Sequence, residues 1–272
     1  MSRRIRPFRV NHMNVVLEDF DAGMARLRDL FGAEFLLDMP QTEWRAALIA
    51  FGGVIIEPFV PHAFLLNARY GPHWLGIEYQ ADMEEVRETI AACGVRIARD
   101  IKVAVHTHPD DCFGVSFEFY DQSFHEREWP LLGRRMLPAD YWRDEHPIGL
   151  TGLKAYTVAV HDLDAPSAFL QRLFATEIAY EAPRSGVSAR ARGFKVGDSH
   201  IELIAPDGEG ALSDHLAKHG QGIRSTVYGV RDVEQARDYF TRRGIQVGAA
   251  AAPDGFALPT SATLGVMFEF SA

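Results

Sequence analysis

The sequence predicts an α+β protein built from four β-α-β-β-β modules arranged in two pairs. Segments that alternate apolar and polar residues, as half-buried strands do, recur in a fixed order around stretches of helical period. Two short patterns also occur twice: Gly-Val-x-Phe-Glu-Phe starts at Gly114 and Gly265, and Ile-Glu-x-x-x-Pro starts at Ile56 and Ile201. These matches fix the register between the halves, so we expect the second half to repeat the first.

The first two modules occupy the N-terminal half. One strand is followed by an amphipathic helix that Gly32 closes and then by three strands; the next module has a strand, a helix, a strand, a polar loop and a last strand. The expected elements are strand 8–19, helix 19–32, strands 33–39, 44–51 and 53–60, strand 73–80, helix 81–94, and strands 95–103 and 113–121.

The last two modules follow the same order. The expected elements are strand 153–160, helix 163–175, strands 177–182, 188–197 and 199–206, strand 223–230, helix 232–244, and strands 245–249 and 264–272.

A segment without a sustained period separates the two halves. It contains three prolines, which favour an irregular backbone, and Trp129 and Trp142, which are expected to anchor it to the surface. We therefore expect an N-terminal domain over residues 1–121, a linker over 122–149 and a C-terminal domain over 150–272.

Composition and charge exclude several classes of partner. The chain has 272 residues, of which 47% are hydrophobic and 24% are charged, and its net charge is −9. Nucleic acids and anionic membrane surfaces select basic patches, so neither is an expected partner. No apolar run approaches the length of about 18–20 residues that a membrane span needs. Two cysteines and the lack of a signal-peptide pattern indicate a cytoplasmic location.

Paired β-α-β-β-β modules, with a histidine on a first strand and a glutamate on a last strand, resemble the vicinal oxygen chelate superfamily. It includes glyoxalase I, methylmalonyl-CoA epimerase, extradiol dioxygenases and bleomycin resistance proteins. The resemblance covers nearly the whole chain except the linker. It implies that each pair of modules curls into a half-open barrel around a cleft. It also implies one divalent metal ion (Fe, Mn, Co, Ni or Zn) that grips two neighbouring oxygens of a small-molecule substrate.

The same resemblance implies a metal site in the N-terminal half. His12 matches the ligand on the first strand, Glu57 the ligand on the fourth, and Glu118 the ligand on the last. His73 is the fourth candidate ligand, but the alternation of its strand puts Trp74 at the ligand position unless a bulge turns His73 into the cleft. Glu118 lies between two phenylalanines, which favours a side chain that points away from theirs.

The second half departs from this pattern. Its matching positions are Ala155, Glu202, Ser225 and Glu269. Both imidazoles are missing, and two carboxylates alone make a poor site for a transition metal. We expect a structural partner or a degenerate binding cleft that lacks a metal site. In an alternative arrangement, modules pair across the two halves, so that His12 and Glu57 share a site with Glu269.

Three functions fit the resemblance. The leading one is a metal-dependent enzyme of the glyoxalase or epimerase type, in which Glu118, with Glu57 as its counterpart, moves a proton next to a carbonyl. The second is an extradiol-type ring-cleaving dioxygenase with His12, His73 and Glu118 as a facial triad. The third is a non-catalytic small-molecule binding or resistance protein whose metal site has decayed, in agreement with Trp74 at a ligand position.

Other features leave alternatives open. His106 and His108 either belong to a lid that contributes a base or an extra ligand, or lie in a solvated loop. The aromatic content of 11% favours a mostly apolar or aromatic, oxygen-bearing substrate. A homodimer is the assembly left open.

Overall fold

The N-terminal half consists of two β-α-β-β-β modules. The computed structural model of the chain describes residues 4–62 and 71–272. The elements of the first module are β1 (Arg9–Val16), α1 (Phe20–Phe31), β2 (Glu34–Pro40), β3 (Trp44–Phe51) and β4 (Val54–Pro61). Those of the second are β5 (His73–Gln80), α2 (Met83–Cys93), β6 (Ile97–Asp100), β7 (Ala104–Thr107) and β8 (Ser116–Tyr120).

The C-terminal half repeats this order. The third module has β9 (Leu150–Ala159), α3 (Asp164–Leu173), β10 (Ile178–Arg184), β11 (Ala189–Val196) and β12 (Ser199–Pro206). Helix α4 (Ala211–His219) follows the third module. The fourth module has β13 (Gly222–Val230), α5 (Val233–Arg242), β14 (Gly248–Ala249), β15 (Phe256–Ala257) and β16 (Met267–Ser271).

Each half forms one sheet in which its two modules lie side by side. The strand orders among the described residues are β2-β3-β4-β1-β5-β8-β7-β6 and β10-β11-β12-β9-β13-β16-β15-β14. The first strands of the two modules are therefore neighbours at the centre of each sheet. The predicted set of four modules, paired within halves, is confirmed.

The helices begin and end where the sequence provides caps. Asp19 accepts a hydrogen bond from the backbone N–H of Ala22 at the start of α1, and Gly32 ends that helix in the left-handed conformation, with φ 66°. Asp82 and Gly94 cap α2 in the same way, with φ 67° at the glycine. No helix among the described residues has the length and apolar character that crossing a membrane requires.

Some elements lack a clear signal in the sequence. β7 replaces part of the expected polar loop, and β6 covers only the middle of the expected strand 95–103. β15 has two residues, and α4 buries only Leu212 and Leu216. These elements are short or bury few apolar side chains, so periodicity does not identify them.

By its contacts the described chain divides into two compact units. The first contains the residues up to Met13, Leu75–Phe124 and Ala155–Arg224. The second contains the described residues of Asn14–Trp74 together with His125–Lys154 and Ser225–Ala272. The domain boundaries expected at residues 121 and 150 stay a prediction.

Aromatic side chains form the core of the first unit. The ring centroid of Phe174 lies 5.3 Å from that of Phe117, 6.2 Å from that of Phe119 and 5.7 Å from that of Tyr79. Because successive side chains of a strand point to opposite faces, this packing leaves Glu118 on the face that points away from these rings. The flanking phenylalanines thus explain how a carboxylate is placed at the centre of an apolar strand.

A separate aromatic cluster forms the core of the second unit. Phe31 stacks on Phe51 with ring centroids 4.5 Å apart, and Phe268 lies 5.0 Å from Phe31. The two expected anchors of the linker, Trp129 and Trp142, are each 1% exposed.

Candidate metal centre

Three buried side chains of the first unit converge with ligand atoms close together. His12, Glu78 and Glu118 each offer one atom, and these atoms all lie within 4.8 Å of one another. The His12 Nδ1 is 3.4 Å from Glu78 Oε1, and the His12 Nε2 is 3.8 Å from Glu118 Oε2. The three residues are 3%, 2% and 7% exposed, respectively. One imidazole therefore stands between two carboxyl groups in a site nearly closed to solvent.

The pairing of β5 with β8 places the two carboxyl groups together. These strands are parallel, and Glu78 lies opposite Glu118 in their register. Directly opposite residues share one face of a sheet, so their side chains are neighbours. A Cβ added at Gly76 would lie 2.1 Å from the carbonyl oxygen of Ser116. The close approach of the strands next to the carboxyl pair therefore requires a glycine at this position.

Each member of the cluster has an outer contact that orients it. The Asn11 amide donates to Glu78 Oε1 at 2.9 Å and to the carbonyl of Gln122 at 2.8 Å. The His12 ring is stacked on Phe124 with centroids 5.7 Å apart and planes 3° from parallel. These contacts hold side chains of the cluster from outside, as the outer partners of metal ligands do.

The remaining outer contact comes from the neighbouring strand β7. His106 lies opposite Glu118 in the antiparallel β7–β8 pair, and its Nε2 is 2.9 Å from Glu118 Oε1. Glu118 therefore has one oxygen beside His106 and the other facing His12.

Burial and neighbouring charges separate the two carboxyl groups in acidity. Burial raises the pKa of Glu78 well above its ordinary value; the His12 charge lowers it, and the adjacent Glu118 raises it further. Burial also acts to raise the pKa of Glu118, but His106 and His12 together lower it to about 2. Of the two carboxyl groups, Glu118 therefore has the lower pKa and Glu78 the higher.

The donor set fits a divalent ion. Two ionised carboxylates and a neutral imidazole carry a charge of −2, which a divalent cation balances, whereas buried charges without a counter-charge are costly. Oxygen-rich sites with one nitrogen suit Mn and Fe and are less suited to soft ions. Both carboxyl groups would have to be deprotonated to coordinate an ion.

Two of the four predicted ligands belong to this cluster, and two do not. His12 and Glu118 are in it, as the sequence predicts. Glu57 is half-buried on β4, and His73 is half-buried at the start of β5 with its Nδ1 2.8 Å from the carbonyl oxygen of Gly71. Neither is among the converging ligand atoms. Their assignment as ligands stays a prediction.

Trp74, the alternative to His73 at the ligand position, packs inside the second unit. It is 3% exposed, and its indole Nε1 donates to the carbonyl oxygen of Met267 at 3.0 Å. Its ring meets Phe268 edge-on at 5.1 Å. This position therefore contributes an apolar contact and a backbone hydrogen bond.

Sequence reasoning missed Glu78, although a signal was present. Glu78 lies between Ile77 and Tyr79, both fully buried, just as Glu118 lies between Phe117 and Phe119. The apolar-Glu-apolar pattern that drew attention to Glu118 thus also occurs on β5. The resemblance instead places the ligand position at the start of that strand, at His73 or Trp74.

The C-terminal half satisfies its two buried carboxylates with protein donors. Arg184 Nε donates to Glu202 Oε1 at 2.9 Å, and the Tyr180 hydroxyl donates to Glu202 Oε2 at 2.6 Å. In the second unit, Glu269 accepts from the Ser225 hydroxyl at 2.9 Å and from the Ala251 N–H at 2.7 Å.

The sheet register also corrects one expected match between the halves. Val227 lies opposite Glu269, so Val227 occupies the position equivalent to Glu78. Ser225 is then equivalent to Gly76, and not to the ligand position at the start of β5 to which the sequence matched it. The second half therefore has an apolar residue where the first has its second carboxyl group.

Comparison with known proteins establishes the class of fold. No family model matches the chain, and no curated protein matches it. A solved structure that matches nearly the whole chain has the fold of the vicinal oxygen chelate superfamily. The chain has this α+β half-barrel fold, so the predicted fold class is confirmed, and the family resemblance is confirmed as a likeness of fold.

One solved structure is similar along nearly the whole chain. It is a triple mutant of 4-hydroxymandelate synthase from Streptomyces coelicolor, with a TM-score of 0.75 and 14% identity over 97% of this chain and 92% of that chain. Methylmalonyl-CoA epimerases from Streptomyces coelicolor and Mycobacterium tuberculosis each match 45% of this chain, at 24% and 21% identity, over 96% and 89% of their own chains, both with a TM-score of 0.42. The structural neighbours are enzymes, and at these identities the likeness concerns the fold.

Proposed function

We propose that the chain is a metal-dependent enzyme of the glyoxalase or epimerase type, with one divalent ion held by His12, Glu78 and Glu118. The observation that carries this proposal is the convergence of these three buried side chains within 4.8 Å. When bound, the ion acts as a Lewis acid toward two neighbouring oxygens of a small substrate and stabilises enolate charge. Three protein ligands leave coordination positions for those oxygens.

The two carboxyl groups have different roles in the proposed reaction. Both Glu118 oxygens lie near imidazoles, one at 2.9 Å from His106 and one at 3.8 Å from His12. Glu78 lies near one imidazole, with its Oε1 3.4 Å from His12 Nδ1, and accepts from the neutral Asn11 amide at 2.9 Å. Because Glu118 contacts two imidazoles and Glu78 one, we assign Glu118 as the more firmly held ligand and Glu78 as the group that takes a proton from the carbon next to the substrate carbonyl. The sequence-based choice, with Glu118 as the base and Glu57 as its counterpart, is the competing assignment.

Matched glutamine variants separate these assignments. Gln keeps the shape and one side-chain oxygen but does not accept a proton at neutral pH. A positioned base contributes roughly 10²–10⁴-fold to rate. We expect Glu78→Gln to lose the exchange of the hydrogen next to a carbonyl in heavy water by that factor. We expect Glu118→Gln mainly to weaken metal binding. The reverse result assigns the base to Glu118.

The substrate panel follows from the whole-chain likeness. Because that neighbour is a 4-hydroxymandelate synthase, aromatic 2-hydroxy and 2-oxo acids are the first compounds to test. The assay is NMR detection of deuterium incorporation under nitrogen, with protein of known metal content. Activity that requires molecular oxygen would support the ring-cleaving or another oxygenase function instead. Stoichiometric ligand binding without exchange or oxygen uptake would support the binding protein.

The ligand set bears on the choice between the two enzyme classes. The facial triad expected for the dioxygenase contains two histidines and one carboxylate. The cluster in the described residues contains one histidine and two carboxylates. This difference favours proton transfer over ring cleavage. A small-molecule substrate, a cytoplasmic location and a homodimer stay predictions.

A further inference from the structure

We infer that His106 is a positioning residue for the metal centre, which fixes Glu118 so that one defined oxygen faces the ion. This inference rests on the proposed function, since it concerns the same site. Its basis is the contact of His106 Nε2 with Glu118 Oε1 at 2.9 Å, while Glu118 Oε2 faces His12. The contact at Oε1 orients the Glu118 carboxyl group so that Oε2 points toward His12 and the ligand cluster.

His106 is outside the ligand set itself. One ligand atom each of His12, Glu78 and Glu118 lies within 4.8 Å of the other two, and His106 is not a member of this cluster. His106 is also more accessible, with 12% of its side chain exposed compared with 4% for His12. It therefore acts through Glu118 and does not coordinate the ion.

The backbone around His106 is fixed by pairing with the strand that carries Glu118. His106 lies opposite Glu118 in the β7–β8 register, and the next residue, Thr107, is fully buried. The Thr107 hydroxyl oxygen accepts a hydrogen bond from the N–H of Phe117 at 2.9 Å. Donor and acceptor thus stand on two paired strands, so the geometry of the contact is preset before any ion binds.

Each of the two carboxyl groups has an outer partner. Glu78 accepts from the Asn11 amide, and Glu118 contacts His106 Nε2. Hydrogen bonds to an ionised carboxylate are charge-assisted and roughly twice as strong as neutral ones. Loss of an outer partner of a ligand typically lowers metal affinity about 10- to 100-fold. We expect a loss of this size when His106 loses its donor.

The test is calorimetric titration of the chelator-treated full chain with Co²⁺, combined with the absorption spectrum of the loaded protein. His106→Leu should weaken Co²⁺ binding about 10- to 100-fold. His106→Gln, whose amide nitrogen reaches the same place as Nε2, should bind within about threefold of the wild type, by preserving the donor. His161→Leu removes an exposed histidine on the chain surface and should bind like the wild type.

Together, the outcomes distinguish a failure of this inference from a failure of the proposed function. Wild type without stoichiometric Co²⁺ overturns both. Wild-type binding that His106→Leu leaves unchanged overturns only the positioning role. A spectrum of the His106→Gln protein that differs in band energy would make His106 a direct ligand and would likewise overturn it. If the Leu variant does not fold, His106→Asn replaces it, since the shorter amide does not reach Glu118 and should show the same loss.

Discussion

Breaking the buried ion pair of the C-terminal half should destabilise the protein strongly. The side chains of Arg184 and Glu202 are only 7% and 5% exposed, and the pair has two guanidinium contacts. Removal of one partner from a buried pair leaves an uncompensated charge and costs about 3–5 kcal/mol. We therefore expect Arg184→Met to lower the free energy of unfolding by that amount, with the Glu202 carboxylate as the group left without its counter-charge.

The assay is urea unfolding at pH 7, followed by circular dichroism. Arg192→Met is the matched control, because Arg192 pairs with Asp164 and Glu181, whose side chains are 90% and 58% exposed. Exposed pairs contribute about 0–1 kcal/mol. The double variant Arg184→Met/Glu202→Leu should recover most of the loss, since apolar replacement of a whole buried pair is often neutral. Equal losses in the Arg184 and Arg192 variants would refute the reasoning.

Three further predictions concern the metal and pH. His12→Ala should abolish stoichiometric metal, as measured by mass spectrometry of the dialysed protein, and full retention would remove His12 from the site. Glu78→His should retain a metal but shift preference from Mn²⁺ toward Zn²⁺ and Co²⁺ in competition titrations, because imidazole is the softer ligand; an unchanged order would place Glu78 outside the coordination sphere. Burial lowers the pKa of His146 below 6.5, so the unfolded state binds its proton more tightly. Stability should therefore fall as pH drops below about 6.5, and His146→Gln should reduce this dependence in urea titrations at pH 5 and 7; an unchanged slope would contradict the assignment.

The architecture was readable from the sequence because the modules carry strong periodic signals. The caps at Asp19 and Gly32 and the repeated Phe-Glu-Phe strands each mark a local feature that does not depend on distant contacts. Helix α4 and strands β7 and β15 were missed because α4 buries only two side chains and the two strands are four and two residues long, which gives a weak periodic signal. The register of β7 against β8, which brings His106 to Glu118, depends on pairing between separate segments.

The site was only partly readable for a related reason. His12 and Glu118 follow from their position within modules, whereas the choice of Glu78 depends on the register between β5 and β8. A shift of two residues along β5 would place Gly76 opposite Glu118 and leave no second carboxyl group there. Spacing along the chain does not determine this register, as the match of Ser225 to the ligand position at the start of β5 also illustrates.

Comparison of the two halves indicates how the second carboxyl group affects the stability of the folded protein. Glu78 is 2% exposed, and burial raises its pKa well above the ordinary value, so its ionised form is disfavoured in the folded protein. The C-terminal half has Val227 at the equivalent position. A residue kept at the expense of stability is typical of functional sites. Glu78→Leu should therefore abolish metal binding while leaving the chelator-treated protein at least as stable as the wild type.

The contacts of Asn11 make this prediction specific. Removal of the Glu78 carboxyl leaves the Asn11 amide with its second acceptor, the carbonyl oxygen of Gln122 at 2.8 Å. The other N–H of that amide, which donates to Glu78, loses its acceptor, so the gain from removing the buried carboxyl group is set against one unpaired donor. Leu occupies a similar volume. Urea unfolding at pH 7 in the presence of chelator measures the difference. A loss of more than about 2 kcal/mol would exceed what a volume-conserving substitution costs. Such a loss would show that Glu78 is held for structural reasons and would remove the stability argument for its role at the metal.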